Sequence, residues 1–197
     1  MKILALGHRK RTGKDTFARF LVTYLRTHTR NLNIQKAGFA DKLKDICHQM
    51  FNWAGLMDGL YYDANPDQRE MPLPKIGKTP REIWIAVGNE FRNVYEHVWI
   101  DYLLNKQNCD ILIVTDLRYP NEFNRVKQLG GLCCKVVRPD LPITHDIADD
   151  ALQNYEDNKW DHHIINDTDL NSLNRSAETI GQYVILSDEK YGKPHTR

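Results

Sequence analysis

The chain has 197 residues, 41% of them hydrophobic and 27% charged, with a formal net charge of +1. That length suits one domain with a substantial core, and so even a charge balance argues against a bulk nucleic-acid coat or a polyanion binder. No apolar run approaches the ~20 residues of a membrane span, and the short apolar start runs straight into charged residues, unlike a signal peptide.

In chain order, "KILAL" (2–6) reads as a buried strand. The following "KDTFARFLVTYLRTHT" places Phe17, Phe20, Leu21, Tyr24 and Leu25 at helical spacing. "NIQKAGF" is a weaker, more polar strand, and "DKLKDICHQMFNWAGL" a helix with Leu43, Ile46, Met50 and Trp53 on one face. Residues 54–80 carry little period, and "TPREIWIAVGNEFR" resumes a helix. "CDILIVTD" (109–116) is the clearest strand. A helix capped by Asn121 and ended by Gly130 and Gly131 follows it.

"LCCKVVR" and "HHIIND" supply two more strands around the irregular, acidic segment 139–161. A last helix spans about 170–186, capped by Asp167 or Asp169. Strands alternating with helices predict a parallel sheet covered on both faces. The two long irregular stretches are candidates for substrate and lid segments. Trp53, Trp84, Trp99 and Trp160 read as core or lid anchors.

Cys47, Cys109, Cys133 and Cys134 form no Cys-x-x-Cys motif and read as buried reduced thiols. A cytosolic protein is expected. His162 and His163 start a strand without metal-ligand spacing.

The chemistry is concentrated in "GHRKRTGKDT" (7–16), between the first strand and the first helix. A phosphate loop has Gly, four residues, then Gly-Lys-Ser/Thr; here His8 holds the first glycine position and Asp15 follows the lysine. Backbone N–H groups and the helix N-terminus favour a polyphosphate at such a turn. Lys14 would reach the β- and γ-phosphates, and Gly13 would allow close backbone approach. Asp15 and Thr16, on the first helical turn, would hold Mg²⁺ directly or through water. Arg9, Lys10 and Arg11 would add charge beside bound phosphate. The alternative is a tight strand–helix turn with a solvated lysine.

"RTGKDT", "TPREIWIAVGNEFR", "DLRYPNEFNRVKQLGG", "VVRP" and "HHIINDTDL" occur in the order found in phage-type deoxynucleoside monophosphate kinases, which the sequence resembles over most of its length. The Gly-Lys-Asp-Thr variant is characteristic of that family. The resemblance implies a three-layer α/β P-loop kinase fold: a mostly parallel five-stranded sheet, helices on both faces, and monophosphate-binding and lid segments. It implies one domain over 1–197, with a monophosphate-binding insertion at about 41–92 and a lid at about 139–161. The departures are His8, "GNE" at 88–90 in place of Gly-Thr and an acidic residue, and Asp149 one position late after His145.

The resemblance assigns Arg81 to the acceptor phosphate, a fork that guanidinium suits; a solvated helix arginine is the alternative, as it is for Arg92. Gly88 and Asn89 match a nucleoside-contacting turn, though a helical glycine also serves packing. Asp116, Arg118 and Glu122 sit at the C-terminal end of the strongest strand, where ligands bind in open parallel sheets. Asp116 would orient Mg²⁺ through water or contact the acceptor, and Arg118 would bridge the phosphates. Glu122 would contact the acceptor or simply pair with Arg118. Asp41 and Lys42 match the monophosphate region, with a helix cap equally able to explain Asp41. Arg138 would stack on the donor base or touch its phosphates, or is a strand-end charge.

The resulting expectation is a kinase moving the γ-phosphoryl of ATP, with Mg²⁺, onto a deoxynucleoside monophosphate. Catalysis would fall to Lys14, Asp116 and Arg118. Another small-molecule P-loop kinase is the runner-up. A silent nucleotide-binding or nucleic-acid-associated protein is the rival that His8 and "RKR" suggest. No stable nucleic-acid complex or membrane partner is expected, and a homodimer is left open.

Overall fold

β1 (Lys2–Gly7) is the middle strand of a five-stranded sheet whose apolar residues Ile3 to Leu6 are almost wholly buried. Such a run suits a strand covered on both faces. The computed structural model describes residues 1–29, 31–142, 151–152, 155–167 and 169–187. β2 (Ile34–Ala37), β3 (Ile111–Leu117), β4 (Leu132–Val137) and β5 (His162–Ile165) complete the sheet in the order β2-β3-β1-β4-β5, every pair parallel. The sheet is thus wholly parallel, and its polar strand β2 lies at an edge.

α1 (Lys14–His28) crosses from β1 to β2, and α6 (Pro120–Gln128) crosses from β3 to β4 in the opposite direction. Right-handed crossovers of opposite direction put their helices on opposite faces. On one face α1 packs against α7 (Leu170–Leu186), and Phe17, Leu21, Leu25, Leu173, Ile180 and Val184 join Leu4, Leu6, Ile113 and Val136 in one core. On the other, Phe123 and Val126 of α6 are buried, and the Phe123 ring meets Trp160 edge-on at 4.9 Å. Asp169 caps α7 by accepting the Ser172 N–H at 2.7 Å, which decides between the two expected caps.

The chain divides into two compact units, Met1–Ala37 with Gln107–Arg197, and Gly38–Lys106. The second unit contains α2 (Asp41–Phe51), α3 (Gly59–Ala64), α4 (Pro80–Val94) and α5 (Val98–Lys106), and it encloses the expected insertion at 41–92. Its core includes Leu43, Cys47, Tyr62, Ile83, Trp99 and Ile100. Thr79 and Glu82 form a complete capping box at the start of α4.

Several local expectations need correction. α5 lies where no helix was expected, because its opening Val98, Trp99 and Ile100 suit a strand as well as a helix. Residues 54–80 contain α3 and the 3₁₀ turn Pro66–Glu70, both too short to show a period. Trp53 is no core anchor but 57% exposed, because α2 stops at Phe51 and the chain tightens into the 3₁₀ turn Asn52–Ala54. α6 begins at Pro120, whose missing N–H costs nothing at a first helical position, so Asn121 sits inside the first turn rather than capping it.

Cys47, Cys133 and Cys134 are buried free thiols and Cys109 is half-buried. Burial pushes Cys47 up to about 11 and Cys133 up to about 12, well away from thiolate chemistry at neutral pH. Among the described residues no helix is long and apolar enough to cross a membrane.

Candidate phosphate-binding site

The loop between β1 and α1 turns through three residues with positive φ. His8 takes a φ of +89° and Arg11 one of +60°, and Gly13, at +96°, leads directly into the helix. His8 thus adopts the left-handed backbone for which glycine is the usual choice.

Lys14, only 6% exposed, folds back over the loop. Its ammonium donates to the carbonyls of Arg9 and, at 3.5 Å, His8, and to Thr12 Oγ1 at 3.2 Å. Thr12, 1% exposed, in turn donates to the Arg9 carbonyl at 3.1 Å. A lysine ammonium at such a turn is also a suitable charged donor for a phosphate anion.

Asp15 and Thr16 open α1, with Asp15 in its first turn. They line a groove of about 490 Å³ with Arg19, Val22, Thr23, Arg26 and Lys36. Lys36 Nζ lies 3.3 Å from Asp15 Oδ1, and the Asp15 side chain is 78% exposed. The hydroxyl and carboxylate are hard oxygen donors of the kind Mg²⁺ takes alongside phosphate oxygens.

Sheet register brings the next group of candidates to this loop. Gly7 pairs with Leu117 on one side and Lys135 on the other. Asp116, in β3, and Arg118, just after it, therefore flank the start of the loop, at the carboxyl ends of strands where the order reverses. Glu122 is 2% exposed, and its Oε2 accepts the N–H groups of Arg118 at 2.9 Å and Tyr119 at 3.1 Å. It shapes the turn carrying Arg118. Arg138 follows β4 and is exposed.

The other candidates belong to the second unit. Arg81 stands in the first turn of α4, with Nε donating to Glu70 Oε1 at 2.5 Å. Gly88 is buried, and a Cβ there would sit 2.9 Å from the Leu43 side chain. Its carbonyl accepts the Trp99 indole N–H at 3.2 Å. Asn89 Oδ1 lies 3.4 Å from Arg92 Nη1. Asp41 Oδ2 accepts the Gly38 N–H at 2.6 Å, a capping arrangement. Lys42 pairs with Asp45 at 2.5 Å, and that bond raises the lysine above its ordinary value. His145 and Asp149, at the tip of the expected lid, lie outside the described residues.

Two residues of the loop's support escaped the sequence reading, Thr12 and Asn166. Thr12 lies inside the motif but is variable in its pattern. Asn166 Nδ2 donates to the Thr12 carbonyl at 3.0 Å from the far end of the chain. Its one local signal is a polar residue immediately after a strand.

No protein-family model matches the chain. A protein of Acanthamoeba polyphaga mimivirus named "Putative deoxynucleotide monophosphate kinase" is 28% identical to it over 158 residues, covering 72% of this chain and 76% of that protein.

Proposed function

We propose that this protein is a kinase that transfers the γ-phosphoryl group of ATP to a deoxynucleoside monophosphate, yielding the diphosphate. The observation that carries the reading is the Gly7–Leu117 register, which sets the Lys14 loop beside Asp116 and Arg118 at one strand end. The similarity to the mimivirus protein points to the same class of acceptor.

In this reading an oxygen of the acceptor phosphate attacks the γ-phosphorus in line while the bond to the leaving ADP oxygen breaks. Such a transfer asks for alignment and positive charge more than for covalent help. Lys14 leaves the loop carbonyls for the β- and γ-phosphate oxygens, and the loop N–H groups hold the β-phosphate. Arg118 places a guanidinium on the transferring group, and Asp116 beside it orients the acceptor or a bound water. Mg²⁺, held by Thr16 and by Asp15 directly or through water, would neutralise phosphate charge. Arg81 is the acceptor-phosphate ligand in this scheme, Arg11 adds charge on the donor side, and Arg138 faces the donor nucleotide.

The test is ADP release from MgATP in the presence of each deoxynucleoside and ribonucleoside monophosphate in turn. The reading expects release to depend on at least one deoxynucleoside monophosphate, with the matching diphosphate as product. ATP binding without any monophosphate-dependent turnover would favour a silent nucleotide-binding protein.

A further inference from the structure

The chain returns to the phosphate loop from the far side of the sheet. Asn166 follows β5, and its own N–H donates to the Val137 carbonyl at 2.8 Å, carrying the ladder one residue beyond the strand. The backbone of Asn166 is therefore fixed by the sheet rather than by the loop it touches. From that anchor its side-chain amide reaches Thr12, donating to the carbonyl oxygen at 3.0 Å.

The contact is a close one. A Cβ built on Gly13 would lie 2.5 Å from Asn166 Nδ2, so the amide occupies the space that any other residue at position 13 would need. Gly13 is favoured by its φ of +96°, and the asparagine amide packs closely against it.

The consequence follows from peptide geometry. In a planar trans peptide the C=O and the N–H point in opposite directions. Holding the Thr12 oxygen toward Asn166 turns the Gly13 N–H away from Asn166. A loop peptide free to rotate would offer an approaching anion its carbonyl dipole as readily as its N–H. One fixed by a third group meets the anion with the donor already aimed, and such prior orientation is what makes backbone donors effective toward phosphate.

We infer that Asn166 is a positioning residue for the donor triphosphate: it locks the Thr12–Gly13 peptide so that the Gly13 N–H serves as a phosphate donor. The inference rests on the phosphate-loop reading above. It makes no claim that Asn166 itself touches the nucleotide.

Asn166→Asp tests it with almost no change of shape. A carboxylate cannot donate to the Thr12 oxygen and repels it, so the peptide loses its lock. Asn166→Ala removes the amide and leaves the carbonyl to water. The probe is the non-hydrolysable imido analogue of ATP with Mg²⁺, titrated calorimetrically without any monophosphate.

Both variants should weaken its binding by about fivefold, the usual worth of one such hydrogen bond. The KM for the monophosphate, measured at saturating ATP, should stay near the wild-type value. A general loosening of the fold would instead raise both. If Asn166→Asp does not fold, Asn166→Ala decides by the same two readings.

Wild-type affinity for the analogue in a folded variant, or equal weakening of both substrates, overturns the inference alone. A wild type that binds no analogue overturns the phosphate-loop reading and this inference with it.

Discussion

Glu122 holds Arg118 by the main chain: Oε2 accepts the Arg118 N–H at 2.9 Å, and the neighbouring Tyr119 N–H at 3.1 Å, from a side chain that is 2% exposed. The carboxylate therefore fixes where the arginine leaves the end of β3. Glu122→Ala would leave two N–H groups of a half-buried turn without this acceptor, costing about 1–3 kcal/mol. For a chain of this size each kcal/mol is worth roughly 2–4 °C in melting temperature. Glu122→Gln keeps a carbonyl acceptor and should lose less. The expected pattern is a lower melting point and a lower kcat for Ala, both partly restored in Gln. An Ala variant that melts and turns over like wild type would deny Glu122 this role.

His8 makes a prediction about strain. A non-glycine residue in the left-handed region costs roughly 1–2 kcal/mol, and His8 sits there at +89°. His8→Gly removes that cost but adds freedom to the unfolded chain, worth about 0.4–1 kcal/mol against it. The balance predicts an unchanged or slightly raised melting temperature for His8→Gly and a clear fall for the β-branched His8→Val. Equal melting of the two variants would mean that the +89° backbone stores no strain.

The strand–helix alternation was legible because the central strands β1, β3 and β4 are short apolar runs between turn signals, "CDILIVTD" above all. The β1–α1 loop stood out because Gly13 and Lys14 keep a phosphate loop's spacing after a buried strand, with Asp15 where Ser or Thr is usual. What could not be read is what sequence-distant parts do to each other. Asn166 reaches Thr12 across 154 positions, and its place just after a strand does not say what it touches. Trp53 failed for a local reason, since the helical period was carried past a helix end that no proline or strong cap announces. Glu122 was visible, but its spacing from Arg118 suggested a side-chain pair, and only coordinates show a carboxylate bonded to the backbone.

Acid stability should depend on His162. Its ring meets Tyr183 edge-on at 4.7 Å, and Nε2 is buried without a hydrogen-bond partner among the described residues. Desolvation lowers this histidine below its ordinary value of 6.5, and His163 beside it acts in the same direction, against Asp161. The unfolded chain then takes up a proton near pH 6.5 while the folded one still refuses it. Stability contributed by the neutral ring is therefore complete above that pH and declines as pH falls toward the folded value. Denaturant midpoints between pH 7.5 and 5.5 should fall in wild type and fall less in His162→Phe. Parallel curves would place the acid sensitivity elsewhere.

Lys14→Ala should abolish transfer in a protein that still folds. The ammonium is bonded to loop carbonyls and Thr12, so its loss opens those contacts to water without emptying the core. Charge stabilisation at a transferring group is commonly worth ~100-fold or more in rate. Turnover near the wild-type level in folded Lys14→Ala protein would remove Lys14 from the chemistry.

Arg81 separates acceptor from donor. It lies in the first turn of α4, behind the Thr79–Glu82 capping box, and its Nε bonds Glu70 at 2.5 Å. A guanidinium carries a planar two-donor fork that suits a phosphate, which an ammonium lacks. Arg81→Lys keeps the charge and loses the fork. The KM for the monophosphate should rise by about tenfold or more, the worth of a charged hydrogen bond, while the KM for ATP stays nearly constant. Turnover should fall as well, because a loosely held acceptor oxygen is poorly aligned for in-line attack. Glu70→Gln weakens the hold on Nε and should shift the monophosphate KM in the same direction by less. Equal weakening toward both substrates would mark a defect of the fold, and a selective effect on ATP would move Arg81 to the donor side.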